Sequence, residues 1–334
     1  MNWALIGAST IASQYMIGAI RSYGGSTIGW VVSGSAARAA AFAKDHAIAE
    51  ATTDLAAALS DTAVDAVYIS SINDMHKPQA LAAIAAGKHV LCEKPLAMTP
   101  ADAAEMVAAA KDAGVAFATN HHLRAAGSHR AIRALIADGR IGRVLSLRVF
   151  HAVELPAHLR GWRLDNPSAG GGVIPDITVH NADTVRFLLG EDPVSVVAEM
   201  AATGLGQGVE DSAMSVWSMP SGAMVFSHES FTHPFAGSGL EVHGTDGSIF
   251  ARGVMTQEPV GTLELVTASG KTLVPYDATG LYRTVIANFN ALVQGTTTLS
   301  ATGTDGIKSL IIALGVREAA RTGQRHTLDY GDAA

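Results

Sequence analysis

From residue 2 to residue 120 the chain keeps one rhythm. Short β-rich runs at 2–7, 27–33, 64–70, 88–92 and 115–119 alternate with alanine-rich stretches of helical pattern at 10–23, 36–46, 76–86 and 99–113. Strand–helix alternation of this kind predicts βαβ units and a parallel sheet. Local signals agree with the helices. Thr99-Pro100 supplies an N-cap and a proline at the first helical position, and Gly87 and Gly114 stand where helices should stop.

After residue 120 the rhythm changes. One helix at about 128–138 leads into a strand-rich stretch with candidates at 144–153, 194–202, 212–218, 223–231, 239–244 and 261–267. Ser221-Gly222 and Ser269-Gly270 read as hairpin turns between them. A helix at about 177–189 interrupts the strands, and helices at 279–294 and 304–321 close the chain. The expected fold is therefore of two parts, α/β then α+β. Residues 1–120 form a Rossmann dinucleotide-binding domain. Residues 121–334 form a substrate domain, open to association, built on a large, mostly antiparallel open sheet. A length of 334 residues suits two domains.

Composition narrows the function classes. Charged residues are 16% of the chain and the net charge is −7, so no basic surface dominates and nucleic acid is not an expected partner. The single cysteine, Cys92, excludes an internal disulfide and fits a reducing compartment. Met1-Asn2 leads directly into a strand-like run, with no signal segment and no run long enough to span a bilayer. The expectation is a cytoplasmic protein without a membrane partner.

The first turn carries a degenerate dinucleotide fingerprint. Gly7-Ala8-Ser9-Thr10-Ile11-Ala12 follows the first strand and opens the first helix, the context such a motif requires. Gly7 permits the tight turn, Ala12 is small enough for close packing, and the helix start offers amide donors to a pyrophosphate. The middle glycine is replaced by Ser9, which adds a hydroxyl donor. The second strand ends in Ser33-Gly34-Ser35, with Arg38 just beyond. An NAD-selective site normally carries an acid there. Its absence, with a guanidinium nearby, predicts NADP (NADPH), although Arg38 also reads as a solvated helix residue.

Two further places carry chemistry. Glu93-Lys94-Pro95 ends the strand His89–Cys92, where an open parallel sheet binds its ligands. The pair is either solvated or aimed into a cleft. Gly170-Gly171-Gly172 precedes Asp176 and His180, which are four apart and share a helix face. The glycines would let backbone pass something bulky, such as a nicotinamide. Asp176 and His180 read equally as a helix cap and a core histidine, or as catalytic groups. His121, His122, His151 and His158 lack compact ligand spacing, so no metal is expected; sugar contacts or plain exposure suit them better.

These motifs together resemble the Gfo/Idh/MocA oxidoreductase family over nearly the whole length. The fingerprint, Glu93-Lys94-Pro95, and Asp176 with His180 at a helix start carry the likeness. Thr119-Asn120-His121-His122-Leu123-Arg124, Gly161-Trp162-Arg163-Leu164 and Glu241-Val242-His243-Gly244-Thr245 extend it toward sugar-reducing members. The resemblance implies that Lys94, Asp176 and His180 form the catalytic group. It also implies Ser9, Thr10, Ile11, Ala12, Ser33, Arg38, Glu93, Asn120, Trp162 and Arg163 around the cofactor. Ser71, Ile72, Asn73 and His76 would follow its ribose and pyrophosphate, and Tyr282 would reach it too. Ser13 departs from the small residue expected just after the fingerprint.

The implied activity is NADPH-dependent reduction of a cyclic ketosugar. The resemblance further implies a small-molecule sugar substrate and a monomer or homodimer. Hydride addition to a ketone leaves an alkoxide, which needs a proton and a positive partner. A histidine titrates near working pH, so His180 is the expected proton donor, and the Lys94 ammonium hydrogen-bonds the carbonyl oxygen. Oxidation of a cyclic polyol such as an inositol, NAD-dependent glycoside cleavage, and a non-catalytic dinucleotide sensor are the competing readings.

Overall fold

The computed structural model describes residues 1–296 and 299–331. The chain divides into two compact units: Met1–His122 with Tyr282–Ile307, and Leu123–Leu281 with Lys308–Ala334.

The first unit is the alternating region. Its strands are β1 Asn2–Ile6, β2 Thr27–Val32, β3 Glu50–Thr52, β4 Ala66–Ile69, β5 His89–Cys92 and β6 Phe117–Thr119. They form one parallel sheet in the order β3-β2-β1-β4-β5-β6. A wide π-turn at Ala12–Met16 runs into α1 Ile17–Ser22, followed by α2 Ala36–His46, α3 Leu55–Ser60, α4 His76–Ala85 and α5 Pro100–Ala113. Every residue of β4 is buried, as a central strand covered on both faces must be. Thr99 caps α5, accepting from the Asp102 amide, and Gly114 ends it at φ +66°. The sequence rhythm misses β3 and α3, because Glu50-Ala51-Thr52 is three residues with no apolar run and Leu55–Ser60 spans under two turns.

The second unit opens with α6 Gly127–Ala137. Its strands are β7 Val144–Glu154, β8 Ser195–Ala201, β9 Ser212–Ser218, β10 Met224–Ser230, β11 Thr232–Gly244, β12 Gly247–Arg252, β13 Thr262–Thr267, β14 Gly270–Leu273 and β15 His326–Thr327. Their order is β14-β13-β12-β11-β7-β10-β9-β8-β15. Only β7 and β10 run parallel; the other pairs are antiparallel. Along β9, Ala213, Ser215 and Trp217 are buried while Met214 and Val216 are exposed, so this sheet is covered on one face there. The short helix α7 Trp162–Asp165 precedes a second π-turn, Ile174–Thr178, which continues as α8 Val179–Leu189.

The last helices are α9 Leu281–Val293 and α10 Gly303–Thr322. Residues Tyr282–Ile307 lie within the stretch the sequence rhythm gives to the second domain, yet they cluster with the first unit. Fully buried rings explain part of this: Phe289 of α9 packs on Trp3 of β1 with centroids 5.2 Å apart. The Thr119 amide of β6 also donates to the Ala301 carbonyl, and its hydroxyl to that of Thr302. Among the described residues no helix is long and apolar enough to cross a membrane.

Candidate active site

In the first unit, Gly7 turns the chain out of β1 at φ +113°. A Cβ there would lie 2.8 Å from the Ser70 carbonyl carbon, so both the turn and the close approach to the chain after β4 require glycine. Ser9 Oγ sits 2.7 Å from Ser70 Oγ and accepts from the Ala12 amide at 3.1 Å. The residue that spoils the fingerprint therefore satisfies an otherwise orphaned helix-start donor. Ala12 is fully buried, as close packing demands, while Ser9, Thr10 and Ile11 keep partial exposure. Beyond β2, Ser33 is partly exposed and Gly34 open. The exposed Arg38 guanidinium donates to the Ala8 carbonyl from Nε (3.1 Å) and Nη2 (2.6 Å). It thus lies over the fingerprint turn rather than trailing into solvent.

The Glu93-Lys94-Pro95 segment is tied to both neighbouring strand ends. Glu93 Oε1 accepts from the Tyr68 hydroxyl (2.5 Å) and from Asn120 Nδ2 (2.6 Å). Burial pushes the Glu93 carboxyl up, against the pull of these two bonds and of Lys94. Burial, with the Glu93 charge, also pushes the Tyr68 phenol well up. The Lys94–Pro95 peptide is cis. His76 is fully buried, with Nδ1 2.9 Å from the Pro95 carbonyl oxygen and Nε2 3.3 Å from that of Ser71. Burial lowers its pKa. The ring braces the loops after β4 and β5, so both nitrogens face protein carbonyls. On the outer side of the same loop, Ser71 donates to Gln79 Oε1 at 2.6 Å, Asn73 is buried, and Ile72 and Met75 are exposed. The buried Tyr282 ring stacks between Tyr15 at 5.0 Å and His122 at 5.4 Å. Tyr15 belongs to the first π-turn, so the stack ties the start of α9 to the fingerprint helix.

In the second unit, Asp176 is the middle residue of the second π-turn and His180 the second residue of α8. Asp176 Oδ2 pairs with Arg163 Nε at 3.4 Å, and the guanidinium lies 4.6 Å from the Trp162 ring. α8 is pinned by a two-pronged pair in which Arg124 grips the buried Asp183 at 2.7 and 2.8 Å. Two of the three consecutive glycines meet close neighbours within the chain. A Cβ on Gly171 would lie 2.6 Å from the Trp162 carbonyl oxygen, and one on Gly172, at φ +113°, would strike the Glu210 carboxylate. That carboxylate accepts from the Ile174 amide (3.2 Å) and Arg317 Nη2 (2.9 Å). Next to it, Asp211 accepts from the amides of Thr203, Gly204, Leu205 and Gly206 at 2.8–3.0 Å. Burial opposes its charge, but the four amides hold its pKa down to about 2.

The remaining histidines separate by setting. His121 and His122 are buried, His151 lies on β7, and His158 is exposed. Among the described residues no three His, Cys, Asp or Glu side chains are grouped to hold a metal ion. Tyr68, Asp183 and Glu229 escape sequence reading. Glu229 alone leaves a trace there: period-two alternation along β10 puts it on the buried face with Val225 and Ser227, where a carboxylate is out of place.

The parallel sheet, the fingerprint turn and the strand-end lysine define an NAD(P)-dependent oxidoreductase. Residues 1–121 match a model of an oxidoreductase family with an NAD-binding Rossmann fold, and residues 129–250 match the GFO/IDH/MocA C-terminal domain. The chain belongs to the Gfo/Idh/MocA family. It is 53% identical to a 1,5-anhydro-D-fructose reductase of Ensifer adhaerens, over 99% of each chain. A D-xylose 1-dehydrogenase (NADP(+)) of Haloferax volcanii is 28% identical over 98% of this chain and all of its own. The crystal structure of an aldose-aldose oxidoreductase from Caulobacter crescentus superposes with a TM-score of 0.90 at 24% identity, covering 98% of this chain and 99% of that one, a likeness of fold.

Proposed function

We propose that this chain reduces 1,5-anhydro-D-fructose to 1,5-anhydro-D-mannitol with NADPH. The observation that carries the reading is the full-length 53% identity to a reductase of that ketose, joined to the presence of Lys94, Asp176 and His180. Bound reduced nicotinamide would supply hydride to the ketone carbon; the ketone, NADPH and one proton give the alcohol and NADP+. The Lys94 ammonium donates to the ketone oxygen as charge develops on it. His180 delivers the proton. Asp176, paired with Arg163, orients His180 or accepts a substrate hydroxyl.

The turn Gly7, Ser9, Thr10, Ile11 and Ala12 would hold the cofactor's pyrophosphate, and Ser71, Ile72 and Asn73 would follow its ribose. His76 supports that loop from beneath. By resemblance to the family, Glu93, Asn120 and Tyr282 of the first unit would contact the cofactor, as would Trp162 and Arg163 of the second. NADP is favoured because Ser33 and Gly34 carry no acid to repel a 2′-phosphate. Arg38 has five N–H donors, of which Ala8 takes two. A name carrying NADP(+) in a more distant relative is in keeping with this.

The test is the loss of reduced-nicotinamide absorbance with 1,5-anhydro-D-fructose, fructose, inosose and glucose, each with NADPH and with NADH. Turnover of the anhydroketose with NADPH alone is expected. Equal use of NADH would overturn the Arg38 reading. Turnover confined to polyol oxidation would replace the substrate class.

A further inference from the structure

The helix bearing Asp176 and His180 is planted on the sheet by a buried carboxyl that no catalytic role requires. Glu229 is fully buried on β10, which packs against the second π-turn. Its Oε1 accepts from Asn181 Nδ2 at 2.8 Å and from the Ser227 hydroxyl. Asn181 Nδ2 also lies 3.1 Å from Ser227 Oγ. Thr178, Asn181 and Ser227 are themselves fully buried. Near 100° per residue, Thr178 lies across the helix from Asp176 and His180, and Asn181 lies about a quarter-turn round from His180, off the face those two share. One face of this turn therefore holds the sheet while the other carries the candidate chemistry.

We infer that Glu229 is a positioning residue, setting through Asn181 the rotation and depth at which Asp176 and His180 are presented. The inference rests on the reading of those two as reacting groups. A helix that joins a π-turn to an α-helix has no unique rotation from its backbone alone, and a slip swings both side chains together. Burial pushes the Glu229 carboxyl up to about 7, against the pull of Ser227 and Asn181. Among the groups facing it, His151 on β7 is in register with Glu229, while Ala213 on β9 brings no charge. The tether consists of the hydrogen bonds that Asn181 and Ser227 donate to the carboxyl.

The experiment compares Glu229→Leu, Glu229→Gln and Asn181→Asp, alone and as the Glu229→Gln/Asn181→Asp exchange, with His180→Ala run beside them. In Glu229→Leu, kcat falls by roughly tenfold to a hundredfold, as a displaced catalytic group demands, while NADPH affinity stays at the parent value. Glu229→Gln keeps an acceptor for Asn181 and retains most of kcat. Asn181→Asp sets two carboxyls against each other and loses kcat as pH rises; the exchange, which swaps donor and acceptor, restores it. Parent kcat in Glu229→Leu, with only a lower melting temperature, would overturn the inference. So would failure of the exchange to rescue Asn181→Asp, a readout that stands even where the leucine variant does not fold. Parent turnover in His180→Ala would instead sink the catalytic reading itself.

Discussion

Lys94 and His180 are held by different kinds of support. Lys94 follows β5, and its surroundings come from the carboxyl ends of adjacent parallel strands: Tyr68 from β4, Glu93 after β5, and Asn120 after β6. His180 sits on a helix laid over a mixed sheet, and its supports reach in from far along the chain. Arg163 pairs with Asp176, Arg124 with Asp183, and Glu229 with Asn181, 48 residues away. A parallel sheet gathers a site by topology, because every strand delivers its last residue to the same edge. A helix on an antiparallel sheet has no such edge and must be fixed by side-chain pairs.

The largest effects test whether both centres act in one reaction. His180→Ala lowers kcat roughly a hundredfold to ten-thousandfold, and Lys94→Met roughly a hundredfold to a thousandfold. On the proposed mechanism, in which both groups act on the substrate oxygen, the losses in the double variant fall short of multiplying. Fully multiplicative losses in steady-state kinetics would separate the two roles. Next in size is Arg38→Ala, which breaks only the cofactor side. At roughly 1.5–3 kcal/mol for bonds to a charged group, NADPH affinity falls about tenfold to a hundredfold while NADH affinity stays nearly constant. Fluorescence titration with both cofactors reads this directly, and an equal loss for the two would assign Arg38 to bracing the Ala8 turn.

A stability effect is expected at Asp211 of the second unit. Asp211, with four amides on its carboxylate, has a folded pKa of about 2, below the unfolded value. Its contribution is fully present above about pH 4 and is lost as pH falls through about 2. Asp211→Asn should cost about 1–2 kcal/mol at neutral pH, and its melting curve should converge on the parent's toward pH 2. A constant gap across that range would show that the loop geometry, not the charge, carries the stability.

The difference in support also decides what the sequence reveals. The βαβ rhythm, the fingerprint turn and Glu93-Lys94-Pro95 are local, so spacing alone exposes them. Asp176 and His180 are visible as an i, i+4 pair, but what surrounds them is not. Arg124 and Asp183 are 59 residues apart and meet only in the fold. The return of Tyr282–Ile307 to the first unit is equally hidden, since nothing in an amphipathic helix names the sheet it will cover. At the triple glycine the sequence shows that something passes close, and the fold adds Trp162 and Glu210 as close neighbours of Gly171 and Gly172.

The smallest expected effect sharpens the contrast at Lys94. Tyr68→Phe removes one of two hydrogen bonds to Glu93 and leaves the Asn120 bond and the strand-end topology intact. Turnover at the optimum should fall less than about tenfold, the scale of one lost hydrogen bond. The Tyr68 bond pulls the Glu93 pKa down against burial, so its loss raises that pKa further. Glu93 then stays protonated to higher pH, and any acid limb that Glu93 sets in the kcat profile moves upward. A fall in kcat as large as that of Lys94→Met would mean that Tyr68 holds the lysine segment in place. The first unit would then depend on side-chain pairs as heavily as the second.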